Sequence, residues 1–372
     1  MTTAPTAELQ RLETFRASLA AHGLDRAIVS WAPHVRYLSG LAIDWAPVFV
    51  VVDRDAAIIV VPEGTEGDDR AGFDVATYRG GPEHSPTVSR LAALTSLASL
   101  LDGDGVDTWR TGIERDHLSV ADLDVVPGLA AAVDIGSILI RQRQRKDAAE
   151  IARIRFNLGV VEAGFDAARE LIRPGATELA VWAGMHAAMM RRAGGPFVQD
   201  GRIASGPRTL DVEPVATNRV LASGDMVYID LFPVIEGYSA DLTRAFVVGE
   251  PTPAQHARHA VLEAALAAGV ATLKPGIRAG DVDAVVRATV ATALDGYVYP
   301  HHTGHGYGLQ GQEAPLLIPA DETILAPGMV IAIEPGVYLP DTGGMRLEGN
   351  YLITATGCES LSDYPMKLFA CG

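Results

Sequence analysis

Two stretches of this chain are written twice, and a repeat constrains a fold more tightly than any single motif. Leu171-Ile172-Arg173-Pro174-Gly175 closes one helical pattern, and Thr177 or Glu178 opens the next. Leu273-Lys274-Pro275-Gly276 does the same further on, with Asp281 near the following helix start. Leu221-Ala222-Ser223-Gly224-Asp225-Met226-Val227-Tyr228-Ile229-Asp230 is then matched by Leu325-Ala326-Pro327-Gly328-Met329-Val330-Ile331-Ala332-Ile333-Glu334. Each copy reads as a turn, a glycine and a buried strand that closes on a carboxylate. Helix, Pro-Gly, helix, strand, twice over, predicts a duplicated unit with a pseudo-two-fold axis.

An acid at the end of an apolar strand lies at the edge of a core, where an unpaired charge is costly. Each copy carries a second acid downstream, Asp241 after Asp230 and Glu348 after Glu334. Both separations suit a hairpin return, over 232–238 and 336–345. Four carboxylates are therefore expected to converge. Such a cluster stays ionised only with cations between its members. A pair of divalent ions bridged by carboxylates is the economical solution, and it makes water a nucleophile near neutral pH. Oxygen donors plus one imidazole suit Mn²⁺, Co²⁺, Fe²⁺ or Zn²⁺. The imidazole has a source in His301-His302-Thr303-Gly304-His305-Gly306-Tyr307-Gly308, whose glycines allow close backbone approach. His305, between two glycines, is the expected ligand, and His302 reads as an ordinary satisfied histidine. A lone strand-end Asp more often serves a turn or helix cap. The duplicated placement beside the His-Gly segment is what points to metal.

At 372 residues the chain exceeds one ordinary core, so two domains are expected, 1–140 and 141–372. The first part mixes helices and strands as an α/β domain. A helix over 7–22 carries Leu9, Leu12, Phe15 and Leu19 on one face and stops at Gly23. Apolar runs at 27–31, 48–52 and 56–61 read as strands, the last two joined as a hairpin through Asp53-Arg54-Asp55. Residues 63–69 read as a loop, and a helix over 87–101 is broken by Gly103–Gly105. A long helix over 148–170 opens the second part. The basic run Arg141-Gln142-Arg143-Gln144-Arg145-Lys146 before it reads as a solvated helix start or linker. Thirty basic against 46 acidic residues give a net charge of −16, which argues against nucleic acid as a partner. Cys358 and Cys371, with no CxxC spacing, exclude a disulfide framework or thiolate metal site. The N-terminal residues lack a signal-peptide pattern, and no apolar run is long enough for a bilayer, so no membrane partner and a cytoplasmic location are expected.

The chain resembles the pita-bread metallopeptidases, the family of methionine aminopeptidase, aminopeptidase P and prolidase, together with creatinase. The resemblance covers nearly the whole chain. It rests on Asp230 in YIDLFP, Asp241 in SADLTRAF, His305 in TGHGYG, Glu334 in IAIEPG and Glu348 in MRLEGNYLIT, and on Val35-Arg36-Tyr37-Leu38-Ser39-Gly40 in a creatinase-type N-terminal domain. It implies an α/β (α+β) fold with a C-terminal pita-bread domain, and two divalent ions, Mn²⁺ favoured. Asp230 would chelate one ion, His305 and Glu334 the other, with Asp241 and Glu348 bridging. Glu334 would take a proton from the attacking water, and His301 would contact substrate. Thr243 and Arg346 would orient Asp241 and Glu348. The family also implies a homodimer in which the N-terminal domain reaches the partner's site. Trp31, His34 and Tyr37 lie where that reach could start, although core packing is the expected role of each.

Two departures bear on substrate. Glu213 and Gln312 stand where prolidase-like peptidases carry histidines that stabilise charge on the scissile carbonyl oxygen. Ionised Glu donates no hydrogen bond and Gln carries no positive charge. Both accept hydrogen bonds, which would favour a cationic or guanidinium-like group. Pro214-Val215-Ala216-Thr217-Asn218-Arg219-Val220 is closer to creatinase and ectoine hydrolase than to prolidase. The expected function is metal-dependent hydrolysis of a C–N bond in a dipeptide or other small molecule, Xaa-Pro peptidase-like. The alternatives are a creatinase- or ectoine-hydrolase-type enzyme, a family lyase, or a metal-free small-molecule binding protein. Gly306-Tyr307-Gly308-Leu309-Gln310-Gly311 fits the dinucleotide pattern GxGxxG, but it follows a His-rich loop and precedes no helical pattern.

Overall fold

The computed structural model describes residues 6–43, 45–65, 72–80, 84–102 and 109–372. The chain divides into two compact units, Met1–Arg143 and Gln144–Gly372. The first contains α1 (Ala7–Ala21), β1 (Arg26–Val29), α2 (Ala32–Ser39), β2 (Phe49–Asp53), β3 (Ala57–Pro62), β4 (Asp74–Tyr78), α3 (Pro86–Leu101), β5 (Thr111–Ile113), α4 (Val120–Val125), β6 (Val133–Asp134) and α5 (Gly136–Gln144). Its sheet runs β4-β3-β2-β1-β5-β6. The expected hairpin is present, with β2 antiparallel to β3. Thr6 caps α1 by accepting from the Leu9 amide at 3.3 Å, an interaction worth about 1 kcal/mol. Leu12, Phe15 and Leu19 face inward as their spacing requires. The strand expected over 27–31 ends earlier, because Trp31 caps α2 and a proline sits in that helix's first turn. Ile28, Phe49, Val51, Val60, Leu94 and Ile113 form the core. Residues 66–69 of the expected loop, and the break at Gly103–Gly105, lie outside the described residues.

The second unit repeats itself. Its first copy is α6 (Ala148–Leu171), α7 (Glu178–Ala193), β7 (Gly201–Ser205), β8 (Met226–Leu231), the short pair β9 (Val234–Ile235) and β10 (Tyr238–Ser239), and β11 (Leu242–Val248). Its second is α8 (Pro253–Thr272), α9 (Ala279–Ala293), β12 (Gly304–Gly306), β13 (Glu313–Leu317), β14 (Val330–Ile333), the pair β15 (Gly336–Leu339) and β16 (Gly343–Arg346), and β17 (Gly349–Ile353). β18 (Cys358–Ser360) and β19 (Phe369–Cys371) close the chain. The sheets run β19-β11-β8-β7 and β13-β12-β14-β17-β18. Gly175 and Gly276 both take φ +88°, and Gly224 and Gly328 take +85° and +91°, so the turns before helix and strand match between copies. The core gathers Leu262, Val286, Ile331, Ile333, Val337 and Met345.

The basic run is only partly solvated: Arg141 and Arg145 are exposed, and the other two basic residues are not. Arg143 is buried, its guanidinium over the Trp31 ring at 5.2 Å. Lys146 is buried as well, its Nζ donating to Glu313 Oε2 at 2.9 Å. A charge can enter the interior here because a carboxylate meets it. Among the described residues, no helix is long and apolar enough to cross a membrane.

Candidate metal centre

Strand register places the donors. Asp230 lies on β8, opposite Thr243 of β11 on one side and Arg202 of β7 on the other. Directly opposed residues of an antiparallel pair present side chains on one face, so these three form a row. Asp241 comes just before β11, Glu348 just before β17 and Glu334 just after β14. His305 is the middle residue of β12, clamped between β13 and β14. Its flanking glycines are demanded by that clamp. A Cβ on Gly304 would lie 2.0 Å from the Ala332 carbonyl oxygen, and one on Gly306 2.7 Å from that of Ala314.

The donors fall into two groups, Asp230, Asp241 and Glu348 in one and His302, His305 and Glu334 in the other, with donor atoms inside each group within 4.8 Å of one another. His305 Nε2 lies 3.4 Å from both Asp241 Oδ2 and Glu334 Oε1, which joins the groups. First-row divalent ions bind nitrogen and oxygen at about 2.0–2.2 Å, so neighbouring ligands sit roughly 3.0–3.6 Å apart. The observed spacing fits. One buried ligand atom needs a further partner: Glu348 Oε1 has no hydrogen-bond partner among the described residues. A buried carboxylate oxygen left so is costly unless a cation meets it.

Electrostatics separate the acids. Burial, with neighbouring acids, pushes Glu348 well above the usual carboxylate range and raises Asp230 too. Asp241 is pushed up to about 7, mainly by burial. Burial acts on Glu334 in the same direction, but His302, His305 and Arg346 outweigh it and hold that carboxyl well below its ordinary value. Asp230, Asp241 and Glu334 line a cavity of about 300 Å³ together with His301, Glu213 and Gln312. His301 Nε2 pairs with the Tyr338 hydroxyl at 3.0 Å, and burial brings its pKa down to about 4.

The five expected ligand positions come together, and two side chains join them that the sequence did not flag. His302, expected to be an ordinary histidine, brings Nδ1 to 3.3 Å from Glu334 Oε1. Only its place in the His-rich loop hinted at this. Arg202 lines the cavity and donates from Nε to Glu213 at 2.8 Å, a pairing no sequence spacing announces. Thr243 meets Glu348 as expected, but the other partners of Thr243 and Arg346 differ. Thr243 donates to Asp230 at 2.7 Å and lies 3.1 Å from Glu348 Oε2, and Arg346 donates to Asp230 and approaches Glu334 Oε2 at 3.7 Å. Asp241 receives neither, because register sets Thr243 opposite Asp230. Asn350 instead donates to the Asp241 carbonyl at 2.5 Å.

Residues 152–355 match the model of metallopeptidase family M24, and residues 11–145 that of the creatinase/prolidase N-terminal domain. A Xaa-Pro dipeptidase of Pyrococcus horikoshii is 29% identical over 349 residues, 93% of this chain and 95% of that one. A probable dipeptidase PepE of Mycobacterium bovis is 30% identical over 309 residues, 83% of this chain and 76% of the other. Among solved structures, the prolidase from Pyrococcus horikoshii superposes with a TM-score of 0.82 at 27% identity, covering 96% of this chain and 99% of that one. A Xaa-Pro dipeptidase from Bacillus anthracis reaches 0.86 at 24% identity, covering 98% and 99%, a likeness of fold. With its carboxylates and imidazoles gathered on a duplicated pita-bread unit, the chain belongs to metallopeptidase family M24, as a metal-dependent peptidase.

Proposed function

We propose that the chain is a two-metal hydrolase of short peptides of the Xaa-Pro class, working in the cytoplasm as a homodimer with Mn²⁺ as the favoured ion. The observation that carries this is the gathering of Asp230, Asp241, His305, Glu334 and Glu348, the first four of which line one cavity. Asp230 would hold one ion, His305 and Glu334 the other, and Asp241 and Glu348 would be shared. When bound, the ions supply Lewis-acid polarisation and a lowered pKa for water. The chain's own groups do the rest. Glu334, kept ionised by its three cationic or hydrogen-bonding neighbours, accepts the proton of the attacking water. His301, neutral at working pH and braced by Tyr338, faces substrate in the cavity. Thr243 and Arg346 orient Asp230 and its neighbours.

Glu213 and Gln312 leave the cavity without two histidines that the resemblance implies, so this enzyme stabilises the transition state with fewer donors. The relatives' names, dipeptidase and Xaa-Pro dipeptidase, favour the peptide substrate over the creatinase-like, ectoine-hydrolase-like, lyase and binding-protein alternatives. The test is turnover by Mn²⁺-loaded protein of a panel of Xaa-Pro dipeptides, creatine-like and ectoine-like compounds. Release of free proline is expected. Turnover confined to the non-peptide compounds would replace this substrate class.

A further inference from the structure

We propose that Arg202 anchors the substrate's carboxylate beside the metal centre, which restricts the enzyme to peptides ending one residue after the cleaved bond. This rests on the hydrolase function above and names its substrate more closely.

Position comes first. Arg202 and Asp230 are directly opposed across β7 and β8, so the guanidinium rises from the same face as a metal ligand. Opposed Cα atoms of such a pair are about 4.5–5.5 Å apart. An anion held by Arg202 therefore lies in the same cavity of about 300 Å³ as the metal ligand Asp230. The backbone permits the close approach through Gly201, where a Cβ would lie 2.5 Å from the Asp230 carbonyl oxygen.

Charge comes second. A dipeptide brings its α-carboxylate into this cavity, and a buried anion needs a cation or several donors. Among the described residues lining the cavity, the arginines are Arg202 and Arg346, and there is no lysine. Arg346 is buried among the metal ligands, hydrogen-bonded to Asp230 and 3.7 Å from Glu334 Oε2. Arg202 is differently placed. Nε donates to Glu213 at 2.8 Å, Nη1 donates to Asp200 at 3.2 Å and to the Gly201 carbonyl at 3.0 Å, and the guanidinium lies over Phe232 at 5.0 Å. Nη2 makes no hydrogen bond among the described residues, which leaves donors for a ligand. The bracing acids are 67% and 60% exposed on their side chains against 24% for Arg202, so water screens them more than it screens the guanidinium. Burial works against the charge of Arg202, but Glu213 and Asp200 outweigh it and keep the group protonated. Glu213 thus has a different task from the one its chemistry first suggested. Its carboxylate is spent on Arg202, and it orients a cation that belongs to the enzyme.

The test is calorimetric titration of Mn²⁺-loaded protein with L-proline and with L-prolinamide, which lacks the carboxylate. Wild type should bind L-proline about tenfold or more tightly than L-prolinamide, the range of a charge-assisted hydrogen bond. Arg202→Gln should lose that preference, Arg202→Lys should recover part of it, and Glu213→Gln should weaken L-proline binding by a smaller factor. Circular dichroism and melting of each variant check that the fold survives. L-proline binding that is unchanged in Arg202→Gln, or a wild type indifferent to the carboxylate, would overturn the proposal. Dipeptide turnover by wild type is scored separately. Its absence alongside Arg202-dependent binding would refute the hydrolase function and leave the anion site standing. Turnover of dipeptides with binding independent of Arg202 would do the reverse.

Discussion

The two copies of the repeat supply corresponding acids and surround them differently. Asp230 and Asp241 of the first copy, with Glu348 of the second, make a group of oxygens alone. Glu334 of the second copy stands with His302 and His305, and Arg346 lies beside it. The acids of the oxygen group are driven toward protonation by burial and mutual repulsion, while Glu334 stays ionised. Duplication explains why the acids meet. Divergence after duplication explains why they are not equivalent: His302, His305 and Arg346 outweigh burial at Glu334, whereas burial prevails at Asp230, Asp241 and Glu348 even with Arg346 on Asp230 and His305 near Asp241. A catalytic base is best drawn from the second group, because it is ionised whether or not the neighbouring position is filled.

The largest expected effect breaks the comparison at its base. Glu334→Gln should lower turnover by about 10³-fold or more while the fold persists, the scale of losing a general base together with a ligand. Steady-state assays beside circular dichroism measure it, and retained activity would show that the proton goes elsewhere. Metal removal comes next. Asp241, with its pKa pushed up to about 7, holds a proton below that pH in the metal-free protein and must release it for a cation. Metal affinity should therefore fall as pH drops below about 7, and binding should release protons. Titration in buffers of different ionisation enthalpy reads that release, and a pH-independent affinity would contradict it. A smaller effect is expected at Thr243, which touches both Asp230 and Glu348. Thr243→Val should weaken Mn²⁺ binding by about 10–100-fold, measured by equilibrium dialysis, with Thr243→Ser retaining most of it.

The smallest effect provides a contrast outside the site. In the first unit, Asp122 pairs with Arg90, Nε donating to Oδ1 at 2.7 Å. That hydrogen bond holds the Asp122 carboxyl down at about 2. A depressed folded pKa gives stability that is present above the unfolded value of about 3.9 and lost as pH falls through about 2. The melting temperatures of Asp122→Asn and wild type should differ most above pH 4 and converge toward pH 2, with or without metal. Here a charge partner is already built into the chain.

The duplication was legible because it was written as matching turns and strand ends, and Asp230, Asp241, Glu334 and Glu348 followed from it. His305 was legible from its glycines, since the clamp between β13 and β14 admits no side chain on either neighbour. Arg202 was not. Its meeting with Asp230 depends on the pairing of strands that are not consecutive runs of one motif, and a one-residue slip would put it on the other face. The contact of Thr243 with Asp230 was hidden for the same reason, because register decides which carboxylate a hydroxyl faces. His302 was hidden because a loop side chain's direction is set by tertiary contacts. Lys146 looked solvated because its partner, Glu313, lies far along the chain.

The most direct measurement is metal content after dialysis of wild type and Asp241→Asn against Mn²⁺ near pH 7.5, with melting temperature followed in parallel. Wild type should retain two ions per chain and melt higher than its chelated form, and the variant should retain fewer ions and lose most of that gain. Wild type that binds no divalent ion, with a melting temperature indifferent to chelator, would mean that the buried carboxylates are held together by something other than metal.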